Sequence, residues 1–382
     1  MEYRILGNTG LSVSVIALGC EGFVGKTEEQ VHSEMDFAIS KGINFIDMYT
    51  SNPDLRSNIG KALAERRQQF IIQGHLCTTW ENDQYLRTRD VEKTIASFED
   101  QLTRLHTDYL DIGMIHYVDS EEDFHEVFNG PIIRLALRLK EEGKIRHIGL
   151  SSHNPIVAKL AVESGLIEVL MFSINPCYDL QPPSENVDDL WADESYAHSL
   201  ENIDPEREKL YELCEQKGIG LDVMKAYGGG DLLSETNSPF GKAMTPVQCI
   251  EYALTRPAVA SVMVGCKSCD EMQAAINWCN ATKEENNYTP IMAGMEKFSW
   301  QGHCMYCGHC APCSVGIDIA SVNKYYNLTI AQNEIPETVR EHYKTLSHHA
   351  SECIQCGQCE TNCPFGVAII EQMEKAVEKF GY

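Results

Sequence analysis

The chain has 382 residues, 43% of them hydrophobic, and a formal net charge of -25 from 31 basic and 56 acidic residues. The apolar fraction supports a full buried core and excludes a disordered polymer. The acidity argues against nucleic-acid binding and against docking on anionic membranes, both of which need a basic face.

The opening MEYRILGNTG lacks the basic-then-apolar pattern of a secretory signal, and no apolar run reaches the ~18 residues of a membrane span. The expected location is the cytoplasm. From there the chain alternates short apolar runs with amphipathic stretches. The runs are VSVIALGC, INFIDMY, FIIQGHLC, YLDIGMIHY, RHIGLSSH, EVLMFSINP, GLDVMKAY and VASVMVGC. Helical periodicity fills Glu28–Ser40, Asp90–Leu105, Phe124–Glu142 and Pro205–Gln216. Eight strand–helix units in about 280 residues predict an α/β fold, a closed (β/α)8 TIM barrel with helices outside. An open doubly wound sheet is the weaker alternative, since no GxGxxG turn follows a strand. The long acidic segment Gln181–Glu206, with Trp191 and Tyr196, reads either as a solvated loop or as a lid over the barrel mouth.

A polar stretch at Asn280–Asn287 marks a domain boundary, giving a barrel over residues 1–285 and a second domain over 286–382. The second domain holds eight of the 16 cysteines, and with 10 acids against 6 bases it carries little of the net charge. So many cysteines in a reduced compartment point to metal or redox chemistry rather than disulfides. Cys304, Cys307, Cys310 and Cys313 form C-x2-C-x2-C-x2-C. Cys353, Cys356, Cys359 and Cys363 form C-x2-C-x2-C-x3-C, followed by Pro364. The x2 spacing lets three thiolates on one turning loop face one iron–sulfur cubane, with the fourth ligand coming from elsewhere. Two four-cysteine zinc sites are the alternative, and these normally use pairs separated by a longer loop.

In a barrel of this kind the chemistry sits at the C-terminal strand ends. Those ends carry Cys20 and Glu21, Asp47 and Tyr49, His75 and Cys77, His116 and Tyr117, Ser151–Asn154, Asn175, Lys225 and Tyr227, then Lys267 and Ser268. Each one alone reads as an ordinary loop residue. Together, a carboxylate, a phenol and two imidazoles from neighbouring strands are parts for proton transfer. A carboxylate beside a His pair favours one imidazolium. The four strand-end thiols Cys20, Cys77, Cys177 and Cys266 read as small buried residues or as a thiol-lined mouth.

Two resemblances sharpen this reading. The paired cysteine runs resemble two-cluster ferredoxins, in which the fourth Cys of each run ligates the other cluster. Carried over, that gives one [4Fe-4S] cluster on Cys304, Cys307, Cys310 and Cys363, and a second on Cys353, Cys356, Cys359 and Cys313. The first run departs from the pattern: Ser314 stands where proline is usual. The segments YRILGNTGLSVSVIALG, GINFIDMYTSNPDLRSNIGKAL, TDYLDIGMIHYVD and VMVGCKSCDEMQAAI resemble the aldo-keto reductase family over roughly residues 2–280. Together with the tail, they resemble that family's iron–sulfur branch.

The family uses an Asp-Tyr-Lys-His tetrad with NADPH. Asp47 and His116 match it, whereas the Tyr position falls on Asn52 and the Lys position on His75. The departure from the tetrad implies non-standard acid–base chemistry: either Tyr49 or Tyr117 replaces the missing phenol, or His116 and His75 are the acid and polarising groups, supported by Asp47 and Tyr49. It places a nicotinamide dinucleotide at Ser151, Asn175, Lys225 and Gly265–Gln273, with Lys267 and Ser268 at the adenosine phosphate. NADPH is thus one candidate cofactor, and the sequence leaves a flavin open. The expected activity is an oxidoreductase that reduces a small-molecule substrate, with electron transfer through the two clusters. An external carrier of ferredoxin or flavodoxin type is the expected partner. The competing readings are a reductase fed by such a carrier without nicotinamide, and an electron-transfer protein with an inactive barrel.

Overall fold

The structure, a computed structural model, describes residues 1–185, 203–236, 238, 240–288, 291, 304, 310–330, 335, 337–363 and 366–382. These residues form two compact units. One contains Met1–Trp80, Arg87–Glu185 and Leu200–Met295, and the other contains Glu81–Leu86 and Glu296–Tyr382. Among the described residues no helix is long and apolar enough to cross a membrane.

The first unit is a closed parallel barrel. Its strands are β3 (Ile16–Gly19), β4 (Phe45–Met48), β5 (Ile71–Leu76), β8 (Leu110–Ile115), β9 (Ile145–Ser152), β10 (Val169–Ser173), β11 (Gly220–Met224) and β12 (Val259–Val264). Each apolar run in the sequence supplies one strand, because a parallel strand covered on both faces must be apolar on both. Two short hairpins complete the β structure, β1 (Tyr3–Ile5) with β2 (Ser12–Ser14) and β6 (Thr78–Glu81) with β7 (Gln84–Arg87).

The barrel interior and the helix layer form separate apolar cores. Leu6 and Val13 of the first hairpin pack with Phe45, Val169 and Ala260, which stand at or near strand starts, so this hairpin plugs the bottom of the barrel. Gly7 makes that approach feasible. Its φ is +53°, and a Cβ there would lie 2.3 Å from Gly220 N.

The outer helices begin where the sequence says they should. Proline opens α2 (Pro53–Leu63), α5 (Pro131–Glu141), α6 (Pro155–Glu163), α7 (Pro205–Lys217) and α8 (Pro246–Leu254). It fits there because the first-turn N–H has no intrahelical acceptor. Helix α1 (Glu28–Ser40) starts with a Thr27–Gln30 capping box, and α3 spans Val91–Arg104. The expected single helix Phe124–Glu142 is two: α4 (Glu121–Asn129) ends at Gly130, and α5 starts at Pro131. Pro131 cannot donate to the preceding turn, and a Cβ on Gly130 would stand 1.9 Å from Glu126 O. Most of the loop Gln181–Glu206, including Trp191 and Tyr196, lies outside the described residues.

In the second unit α14 (Ile369–Phe380) buries Ile369, Met373, Ala376 and Phe380 along one face. Phe380 stacks on Tyr343 with ring centroids 3.9 Å apart. The Tyr343 hydroxyl donates to Tyr382 O and accepts from Ala350 N. The hairpin tip Glu81–Leu86 belongs to this unit, which a linear boundary at 285/286 does not show.

Candidate active site

Asp47 on β4 pairs in register with Gln73 on β5, and His75 follows two residues on. Alternation of faces therefore puts Asp47, Gln73 and His75 on the inner surface. Asp222 on β11 lies across the barrel. All four side chains are at most 4% exposed. His75 Nε2 lies 3.0 Å from Asp47 Oδ1, and His75 Nδ1 lies 2.7 Å from His116 Nδ1. Gln73 Nε2 donates to the same Asp47 oxygen at 2.9 Å and reaches Asp222 Oδ1 at 3.5 Å.

These contacts assign the protons. A carboxylate oxygen only accepts, so His75 carries its proton on Nε2. Its Nδ1 is then the acceptor, and His116 donates from Nδ1. In the neutral pair, the His116 Nε2 is the nitrogen that lacks a proton. Adding one there gives an imidazolium two hydrogen bonds from Asp47.

Aromatic rings frame the pair. Tyr49 lies parallel to His116 with centroids 6.0 Å apart and meets His75 edge-on at 6.3 Å. Tyr117 meets His116 edge-on at 5.0 Å, with the Arg87 guanidinium over its ring. Arg89 donates to His116 O and to Asp123, which holds the end of β8. Asn52 is placed otherwise: its side chain caps α2 by accepting from Leu55 N.

A second His–carboxylate pair stands beside the first. Asp119 accepts from His153 Nδ1, His153 N and Ser152 Oγ. Burial pushes the Asp119 carboxyl up, but the His153 charge and these donors outweigh it and hold it well below the usual range. Burial, then the Lys225 charge, pushes His153 down despite Asp119. Burial and the Asp47 charge push the Asp222 carboxyl well up.

The residues assigned to a dinucleotide fit only in part. Ser151 is buried with no hydrogen-bond partner for its hydroxyl among the described residues, and Gly265 has open space where a Cβ would be. Asn175 is committed to its own loop, accepting from Cys177 N and Tyr178 N and donating to Lys225 O. Lys225 has a φ of +60°.

At the phosphate end, Ser268 caps α9 (Cys269–Ile276), and Glu271 accepts from Lys267 N at 2.8 Å. Asp270 and Glu271 fill the first turn of this helix, and Lys26 is paired with Glu34. A phosphate there would have to displace a carboxylate from the backbone N–H that would receive it. The strand-end thiols are buried, and burial pushes Cys266 up to about 12, so they remain protonated and unreactive near neutral pH.

In the second unit Cys313, Cys353, Cys356 and Cys359 line one cavity, with Val315, Ile317, Ile319, Ile354, Ile369 and Met373. This donor set fits a cubane: four thiols around one apolar-walled space. Cys310 and Cys363 are buried and Cys304 is half-buried, whereas Cys307 lies outside the described residues.

Gln73, Asp222, Asp119 and Gln84 were not singled out from the sequence. The signal existed for two of them. Gln73 and Asp222 interrupt otherwise apolar strands, and Gln73 shares its face with His75.

A closed barrel with buried acid–imidazole chains at its strand ends, joined to a cysteine-lined unit, defines an oxidoreductase of the (β/α)8 class. The aldo/keto reductase family pattern matches residues 15–248, and a 4Fe-4S dicluster domain matches residues 300–367. The chain belongs to the aldo/keto reductase family and carries a C-terminal 4Fe-4S dicluster domain. It is 28% identical over 304 residues to the uncharacterized oxidoreductase YqkF of Bacillus subtilis, covering 75% of this chain and 94% of that one. It is 30% identical over 161 residues to aldo-keto reductase YhdN of the same organism, covering 40% of this chain and 47% of the relative. The holo form of aldo-keto reductase AKR11C1 from Bacillus halodurans shares the fold, with a TM-score of 0.59 at 24% identity over 79% of this chain and 99% of that one.

Proposed function

We propose that the barrel, residues 1–285, reduces a small organic substrate with protons drawn from the His116–His75–Asp47 chain. In this reading the tail, residues 286–382, holds two [4Fe-4S] clusters. The single observation that carries it is that chain: 2.7 Å and 3.0 Å contacts, all three groups buried. The resemblance expects a phenol and a lysine where Asn52 and His75 stand, and Asn52 is used as a helix cap. His116 Nε2, charged as an imidazolium, donates the first proton to the substrate. Asp47 balances the charge through His75. Solvent returns a proton to the same nitrogen, which donates again, so a two-electron reduction consumes two protons. When bound, the clusters supply those two electrons singly, and a reduced ferredoxin- or flavodoxin-type carrier is oxidised twice. Tyr49 and Tyr117 flank the His116 ring.

The acidic cap at Ser268–Glu271 favours this donor over NADPH. The open backbone at Gly265 and the Ser151 hydroxyl favour the nicotinamide reading. Anaerobic titration separates them. We expect the cluster absorbance to bleach with a reduced one-electron carrier and to stay unchanged with NADPH. Bleaching by NADPH overturns the choice of donor. For the proton chain, His75→Ala and His116→Ala should each lower turnover of an accepted substrate at least a hundredfold, against less than threefold for Cys77→Ala. Near-normal turnover in both histidine variants would sink it.

A further inference from the structure

One cluster ligand set has a polar setting that the cysteine spacing does not predict. The tip of the β6–β7 hairpin belongs to the second compact unit. Its turn residues Asn82 and Asp83 have φ of 52° and 56°, the left-handed pair of a tight two-residue hairpin. This turn presents Gln84, which is 8% exposed. Its side-chain amide clamps both backbone groups of Cys313: Cys313 N donates to Gln84 Oε1 at 2.7 Å, and Gln84 Nε2 donates to Cys313 O at 3.1 Å. The amide thus acts as a strand partner one residue long. It fixes the backbone of Cys313, which lines the same cavity as Cys353, Cys356 and Cys359.

The next residue is Ser314, whose hydroxyl lies 3.3 Å from Cys356 Sγ. A metal-bound sulfur carries no proton, so the serine is the donor. The second cysteine run closes with Pro364, which has no such group. Reduction adds negative charge to a cluster and its sulfurs, so a hydrogen bond to a ligand sulfur favours the reduced state and raises the potential.

We propose that Gln84 and Ser314 are positioning residues that raise the reduction potential of the cluster on Cys313, Cys353, Cys356 and Cys359. Gln84 acts by fixing the Cys313–Ser314 backbone, and Ser314 by donating to Cys356 Sγ. This rests on the reading that Cys313 ligates that cluster, and the test separates the two. The full chain, reconstituted with iron and sulfide without air, is titrated potentiometrically and followed by electron paramagnetic resonance.

In Ser314→Ala one of the two reductive transitions moves to a more negative potential and the other stays, with full iron content. In Gln84→Leu the same transition moves the same way. Ser314→Thr, which keeps a hydroxyl, restores the native value. Cys313→Ala is the control and should change the signal of that transition. If Cys313→Ala leaves both signals unaltered, the ligand reading fails. If it alters one while Ser314→Ala and Gln84→Leu move neither potential, the proposal is overturned on its own.

Discussion

At the scale of single residues, the barrel interior holds two carboxyl groups and one amide to join them. Gln73 donates to Asp47 at 2.9 Å and to Asp222 at 3.5 Å. Only Asp47 also meets an imidazole. Asp222 Oδ2 has no hydrogen-bond partner among the described residues, and the residue is fully buried. A second uncompensated charge there would be costly, and burial with the nearby Asp47 charge pushes the Asp222 carboxyl up.

The sign of its pH effect follows. An acid whose folded pKa lies above the unfolded ~3.9 must bind a proton on folding. That cost is absent below ~3.9 and grows as pH rises toward the folded value. Asp222→Asn should therefore raise Tm by a few degrees at pH 8 and leave it unchanged at pH 4, with turnover within threefold of normal. A lower Tm at pH 8 would show that Asp222 is ionised and needed. Asp119 gives the opposite case. Its three accepted hydrogen bonds hold its pKa down, so its contribution is present above ~3.9 and is lost as pH falls further. Asp119→Ala, which leaves the buried His153 and Ser152 donors without their acceptor, should cost about 1–3 kcal/mol at pH 7 in a denaturant titration.

At the scale of elements, legibility in the sequence followed burial. Every barrel strand was readable because a strand buried on both faces must be continuously apolar. Asp47, His75 and His116 were readable because polar groups ending such runs stand out. The hairpins β1–β2 and β6–β7 were not. Each strand in them has three or four residues, too few for an alternation to register. The Gly130–Pro131 break was written in the sequence but hidden under a continuous helical periodicity across it. Ser314 was legible only as a departure from a pattern. Its partner Gln84 sits 229 positions upstream of Cys313, a distance that no local motif spans.

The element that most depends on one contact is α14, whose last apolar residue, Phe380, stacks on Tyr343 and is 4% exposed. Phe380→Ala removes that ring from a small core and should cost about 3–5 kcal/mol. In calorimetry the transition that moves should be the one that also releases iron. A shift confined to the other transition would contradict the assignment of Phe380 to the second unit's core.

At the scale of the whole molecule the two units have different sources of stability. The barrel has two apolar cores, the helix layer and the strand interior, and a hairpin plug. The second unit includes Glu296–Tyr382 with the tip Glu81–Leu86. Four of its cysteines, Cys313, Cys353, Cys356 and Cys359, line one cavity. On the proposed reading that these cysteines hold a cluster, metal binding contributes folding free energy to this unit and not to the barrel. Chelating the iron under reducing conditions should abolish the second unit's thermal transition and its protection from protease, while the barrel transition shifts by less than about 3 °C. The hairpin tip gives a local readout within the second unit. In iron-free protein the Glu81–Leu86 segment should become cleavable while Asp47, His75 and His116 stay protected in hydrogen exchange. Loss of protection at all three histidine-chain positions would mean that the barrel mouth needs the clusters to hold its shape.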